Sequence, residues 1–393
     1  MPKIWDEVGI EIEYVDVDPK QDFVLRSFLE NCGYRITHDA SVESPTVTLG
    51  GRPVKGATFD KEINDAIFRK SVIGGEIVSP ILNTESKDWI DTISEIFKML
   101  KNLGERKDTT RGSIHVHVNF PADHPSGHKH TIGLLRRAWI LAGFTEAFFY
   151  RIGGMGKEQR GKFMDYIYYR PILGNGPAIV ISGQDLEYRP VLRYEDVLNS
   201  RDNVDFFCKC GDIWNAESRY HPSRYSWINF YNLKLERPHI EFRVFNKTLR
   251  WDYVYAIVEL CKAFVRVCYT IDTQTILKET NNKLFGLNSC YEIDWESYYH
   301  SVIKILRITD ETTLAILRSI WDKTPIPYYD DTPVYSHITR TSIFTHRDYL
   351  SLYPKPITNQ EKKKVRHANY IDIHTLTEMG EYIFPEEDDG CVN

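Results

Sequence analysis

Over residues 8–17, Ile10, Ile12 and Tyr14 interleave with Glu11 and Glu13. That period of two predicts a strand with one face turned to a core. The period recurs over residues 112–120, where Ile114, Val116 and Val118 interleave with His115, His117 and Asn119. Further strands are expected over residues 72–79, stopped by Pro80, and over 225–233 and 238–245, two neighbours joined across 234–237. The period shifts toward 3.6 over residues 86–103. There Trp89, Ile90, Ile93, Ile96, Phe97, Leu100 and Leu103 form one stripe, with Ser86 as N-cap and Gly104 as the stop. Helices are also expected over residues 22–31, closed by Gly33, and over 131–150 and 251–269. Strands and helices mix without regular alternation, which predicts an α+β fold class with a largely antiparallel sheet.

Residues 151–224 are less regular. Gly153, Gly154, Gly156, Gly174, Gly176, Pro171 and Pro177 punctuate them, and they read as loops with short elements and a candidate substrate lid. Beyond Pro325 the pattern weakens, and Glu386, Glu387, Asp388 and Asp389 make an acidic tail. The expected division is a catalytic domain over residues 1–330 and an extension over 331–393.

Composition narrows the class without naming it. The chain has 393 residues, 42% hydrophobic and 26% charged, as in an ordinary globular protein with a large core. The net charge of −6 and a single short basic run, Lys362, Lys363, Lys364 and Arg366, predict no nucleic-acid partner. No basic segment followed by an apolar core opens the chain, and Glu259, Lys262 and Arg266 interrupt the longest apolar stretch. Neither a signal peptide nor a membrane span is expected. Seven cysteines without a CxxC pair suggest neither a disulfide framework nor a zinc ribbon, and fit reduced thiols in the cytoplasm.

The chemistry lies in a recurrence. Glu11 and Glu13, His115 and His117, and Glu241 and Arg243 each stand two apart on an expected strand, with apolar Ile12, Val116 and Phe242 between them. Side chains at i and i+2 share one face of a sheet. One ExE or HxH alone is an ordinary wet face; three such pairs on one sheet point to a site. Neighbouring carboxylates repel unless a cation lies between them, and hard divalent cations prefer carboxylate oxygen. Arginine's planar fork suits a phosphoryl group.

Six blocks occur in order: Gly9-Ile-Glu11-Ile-Glu13-Tyr14, Asp39-Ala40-Ser41, Gly75-Glu76-Ile-Val-Ser79-Pro80, Gly112-Ser-Ile-His115-Val-His117, Asn229, and Ile240-Glu241-Phe-Arg243-Val-Phe245. Together they resemble the putative amidoligase family, a branch of the glutamine synthetase and glutamate–cysteine ligase superfamily, over residues 8–248. The resemblance implies a curved, mainly antiparallel sheet with helices on its convex side, a glutamine synthetase-like catalytic domain binding ATP and Mg2+ or Mn2+. It implies that Glu11, His115 and Glu241 hold one metal and Glu13 and Glu76 another. His117 would approach the ATP phosphates, helped by Asn229, and Arg243, with Arg224 as a second candidate, would bind the transferred phosphoryl group. The implied reaction is ATP-dependent joining of a carboxylate to an amine, each a small molecule or a protein group, through an acyl phosphate. Alanine stands at position 40 where the family has glycine, and the insertion between Ser41 and Gly74 leaves Asp39 and Glu43 as candidates for a third ligand of the second metal.

Two other classes compete: a zinc hydrolase built on the HxH pair, and a non-catalytic binding protein on a ligase scaffold. Carboxylates outnumber imidazoles around the pair, which favours Mg2+. The glycines after Ile152 lack the Lys-Ser or Lys-Thr of a P-loop and read as a turn. Cys208 and Cys210 read as a buried or incidental pair, and His124, His128 and His130 as surface residues.

Overall fold

A computed structural model describes residues 3–17, 22–37, 73–103, 113–121, 131–153, 177–182, 185–190, 197–210, 227–280 and 294–324. Nine strands are described: β1 (Glu7–Val17), β2 (Arg35–Thr37), β3 (Ile73–Val78), β4 (Leu82–Asn83), β5 (Ser113–Asn119), β6 (Pro177–Ser182), β7 (Asp185–Pro190), β8 (Ile228–Asn229) and β9 (His239–Asn246). Eight α-helices accompany them: α1 (Asp22–Asn31), α2 (Asp88–Asn102), α3 (Ile132–Gly153), α4 (Asn203–Lys209), α5 (Trp251–Thr270), α6 (Thr273–Glu279), α7 (Trp295–Ile305) and α8 (Glu311–Lys323).

Seven strands form one sheet in the order β2-β3-β1-β5-β9-β8, with β4 also pairing β1, and every pair is antiparallel. The α+β expectation with an open antiparallel sheet therefore holds. The alternation seen in the sequence fixes which face is dry. Ile10, Ile12, Tyr14, Ile77, Ile114, Val116 and Phe242 are buried. Phe149 of α3 stacks on Phe242 with ring centroids 5.4 Å apart, and Phe264 of α5 meets the same ring edge-on at 5.3 Å. The long apolar helices thus cover the face opposite the ionisable one, and burial of these aromatic side chains is a principal favourable term.

Two glycines are required by their surroundings. Gly33 adopts φ +77° just past α1, the left-handed conformation that ends a helix. At Gly153 a Cβ would collide with the Val244 carbonyl oxygen, so the end of α3 packs directly against the backbone of β9. The third helical anchor is Arg151, whose guanidinium lies 4.0 Å from the Trp321 ring centroid and 5.3 Å from that of Trp295, tying α7 and α8 to α3.

Two sequence expectations need correction. The strand expected over residues 225–233 is only Ile228–Asn229 among the described residues, followed by a 3-10 turn over Tyr231–Lys234. Asn229 breaks it: its Oδ1 accepts from the Tyr231 N–H at 2.9 Å, a local bond that competes with the ladder. At α2 the cap position belongs to Lys87, not Ser86. Ser86 still accepts from the Asp88 N–H at 3.2 Å, the kind of bond a capping serine makes. Most of residues 151–224 lies outside the described residues; within it are the antiparallel pair β6–β7 and helix α4. The proposed extension over 331–393 also lies outside them.

Candidate active site

Strand register carries the polar pairs to one place. Glu11 stands opposite His115, Glu13 opposite Glu76, His117 opposite Glu241, and Asn229 opposite Glu241. Directly paired residues share a face, so all of these side chains lie on the face away from the helices. The ladder between β5 and β9 is irregular: Ile114 pairs Phe245 but Val116 pairs Phe242, so β9 holds one extra residue there. Arg243 and Val244 together oppose His115, a bulge that re-aims a side chain beside the site.

Glu11 and Glu241 flank His115. His115 Nδ1 lies 2.9 Å from Glu11 Oε2 and 3.6 Å from Glu241 Oε1. His115 Nε2 faces the other way, 3.9 Å from Glu13 Oε1 and 2.8 Å from the Ser113 hydroxyl. His117 Nε2 is 3.2 Å from Glu11 Oε1. The Arg243 guanidinium contacts Glu241 Oε1, while Asn229 Nδ2 and Asn232 Nδ2 donate to Glu241 Oε2 at 2.7 and 3.0 Å. Glu76 Oε2 accepts from the Thr37 hydroxyl at 2.8 Å, and Glu13 Oε2 accepts from the Ser113 N–H at 2.5 Å.

These groups set one another's ionisation. Burial alone would raise the Glu241 carboxyl, but the positive charges of Arg243 and His117 outweigh it and hold the group down at about 2. Glu11 is likewise opposed by burial and carried well below the carboxylate range by His117 and by hydrogen bonds from both histidines. Burial disfavours the charged His117 ring, yet Glu11 and Glu241 push it up to about 9. His239, whose ring centroid is 5.0 Å from that of His117, goes the other way, lowered first by burial and then by the His117 charge.

The sign of the pH dependence follows. Glu241 stabilises the fold fully above the ordinary 4.5 of a glutamate, and this is lost as pH falls toward about 2. His117 stabilises it fully below the ordinary 6.5 of a histidine, and this is lost as pH rises through about 9. With divalent cations chelated, urea unfolding midpoints should therefore decline on the alkaline side of neutrality, and His117→Gln should flatten that decline. Superimposable alkaline limbs in the two proteins would remove His117 from the cluster.

The donor set suits a hard divalent cation. Glu11, His115 and Glu241 each offer a ligand atom within 4.8 Å of one another, and so do Glu13, Glu76 and His115. Each set is mainly carboxylate, as Mg2+ and Mn2+ prefer. His115 belongs to both, but a neutral imidazole has one lone pair to give, so the ring serves one set at a time.

Residues 6–143 match the model of a family described as "putative amidoligase enzyme". Over that span, about a third of its length, the chain is similar to the putative amidoligase family. The match supports an enzyme of the carboxylate–amine ligase kind. No curated protein matches the chain. Among solved structures, a bifunctional glutathione synthetase from Pasteurella multocida aligns with a TM-score of 0.39 and 8% identity, over 93% of this chain and 53% of its own. The chain thus spans about half the length of that structure.

The amidoligase segment contains Glu11, Glu13, Glu76, His115 and His117; Asn229, Glu241 and Arg243 come from beyond it and join through β9 and β8. Arg224, Asp39 and Glu43 lie outside the described residues, as do His124, His128 and His130. Cys210 is buried and its thiol is pushed well up by burial, whereas Cys208 is only half-buried. Sequence reasoning missed Thr37, Ser113 and Asn232, which bond to the expected ligands. Only Asn232 carried a signal: its spacing of three from Asn229 suits a tight turn after a strand.

Proposed function

We propose that this chain is an ATP-dependent carboxylate–amine ligase that forms an amide through an acyl phosphate. What supports it most is one arrangement: two carboxylate-rich ligand sets side by side, with Arg243 seated on Glu241 between strand and site. Glu11, His115 and Glu241 would hold one Mg2+ or Mn2+, and Glu13 and Glu76 a second. Bound there, the cations would neutralise charge on the phosphoryl oxygens.

The chain's own residues then have distinct work. Arg243 offers a planar fork to the phosphoryl group in flight, beside the metal carboxylate it already contacts. His117, 3.2 Å from Glu11 Oε1, would offer a ring N–H where the nucleotide phosphates would lie. Asn229 donates to Glu241 and so stands beside the place proposed for the nucleotide phosphates. The γ-phosphoryl group passes to the substrate carboxylate, ADP leaves, the amine attacks the acyl carbon, and phosphate departs as the amide forms. The acyl phosphate must be kept from water, the role proposed for residues 151–224 as a lid, with Arg224 as a second phosphate arginine. The glutamine synthetase-like cradle, the division at residue 330 and the acid and amine pair, small-molecule or protein-borne, belong to the same proposal. No described helix is long and apolar enough to cross a membrane, and Cys32, Cys210, Cys261 and Cys268 are free thiols, which fits a cytoplasmic place.

The test is a screen of acids and amines with Mg-ATP. ADP and phosphate should be released only when the acid is present, and hydroxylamine should divert the acyl phosphate to a hydroxamate. Conversion of independently found substrates without ATP consumption would overturn the reading. A zinc hydrolase would instead lose activity to chelators and regain it with Zn2+ alone.

A further inference from the structure

Several ligand side chains of the site are held at one atom by a neutral donor from the scaffold. Glu241 Oε2 takes both Asn229 and Asn232, while Oε1 lies on the side of His115. Glu13 Oε2 takes the Ser113 N–H, while Oε1 faces His115 Nε2. Glu76 Oε2 takes the Thr37 hydroxyl. His115 Nε2 pairs with the Ser113 hydroxyl oxygen, which can accept its N–H, while Nδ1 lies between Glu11 and Glu241. The donors come from four different places: the last residue of β2, the first of β5, the last of β8 and the 3-10 turn after it.

We propose that Thr37, Ser113 and Asn232 are positioning residues, each engaging one atom of a ligand side chain and so turning its other donor atom to a divalent cation. This rests on the metal-dependent reading above. The physical reason is geometric. A carboxylate near a cation can bind through one oxygen or both, and two rotatable side chains of like charge drift apart without restraint. A neutral donor on one oxygen fixes the rotamer without consuming the charge, which stays available to the metal. Ser113 engages two ligands, its backbone N–H donating to Glu13 and its hydroxyl oxygen meeting His115 Nε2, and so links the two ligand sets. When the Ser113 oxygen accepts Nε2–H, the His115 lone pair resides on Nδ1, and the ring is assigned to the Glu11 and Glu241 set.

The experiment is Mn2+ titration of the chelator-stripped full chain, read by calorimetry and by the electron paramagnetic resonance of free Mn2+. Thr37→Val, Ser113→Ala and Asn232→Ala should each weaken Mn2+ binding by about tenfold or more. Thr37→Ser, which keeps the hydroxyl, should bind as the wild type does, a rescue that a purely structural role would not require. Thr37 is half-exposed on the terminal strand of the sheet, so its variants keep the test intact if a buried Ser113 variant fails to fold. Glu11→Gln is the control. If it loses Mn2+ while the three variants bind normally, the positioning roles are wrong and the metal site stands. If wild type and Glu11→Gln bind Mn2+ alike, the metal reading fails and the proposal falls with it.

Discussion

Arg243→Lys should lower turnover by about a hundredfold or more while leaving Mn2+ affinity close to wild type. The substituted lysine keeps one positive charge beside Glu241, so the carboxylate remains ionised and the metal ligands remain in place. What disappears is the planar fork. A guanidinium can hold two oxygens of a phosphoryl group at once, and its orientation is set before the group moves; an ammonium is a point charge on a flexible stem. The bulge in β9 makes the position unforgiving, because Arg243 shares with Val244 the place opposite His115, and its N–H is bound to the Trp227 carbonyl at 2.9 Å. Steady-state phosphate release at saturating Mg-ATP, paired with Mn2+ titration, separates the two effects. Turnover near wild type would remove Arg243 from the chemistry.

Glu241→Ala should have the larger effect on the protein itself. The carboxylate is buried, accepts from Asn229, Asn232 and Arg243, and is one of the two charges that hold His117 protonated. Repulsion from Glu11 works against it, but the attractions of Arg243 and His117 are greater, which is why the group stays ionised at about 2. Alanine would leave a guanidinium and two amides without their acceptor. Breaking a buried ion pair from one side costs about 3–5 kcal/mol, because the remaining charge is stranded. Urea unfolding of the metal-free protein should show a loss of that order, and ATP-dependent turnover should vanish. An alanine variant as stable as wild type would mean that repulsion among the carboxylates cancels the ion pair.

The site was legible in the sequence where local rules govern it. Side-chain parity is a local property of a strand, so Glu11 with Glu13, and His115 with His117, could be placed on one face before any partner strand was known. The apolar residues between them identified the opposite face as core, and Ile12, Val116 and Phe242 are buried there. Register is not local. Nothing in residues 7–17 says that Glu13 will meet Glu76 and Glu11 will meet His115; the pairing of whole strands decides it. The residues that bond to the ligands were hidden for another reason. Thr and Ser are common on the wet faces of strands, so Thr37 and Ser113 gave no signal apart from their partners, and Asn232 gave only its spacing from Asn229. The strand expected through residue 233 failed because Asn229 bonds to its own backbone neighbour and curls the chain into the turn that carries Asn232.

The order of strands across the sheet differs from their order along the chain, and this bears on how the protein is made. Glu11 and Glu241 approach the same imidazole although more than half of the sequence lies between them. On a translating ribosome, β1, β3 and β5 can pair while β9 has yet to emerge. The nascent sheet then exposes the edge of β5 and crowds Glu11, Glu13 and Glu76 together before Arg243 has been synthesised. Contacts so distant in sequence are slow to close, and an open edge invites wrong partners in the interval. Truncation anywhere between β5 and β9 should therefore yield chains that aggregate, and full-length folding should be limited by the arrival and docking of the last strands.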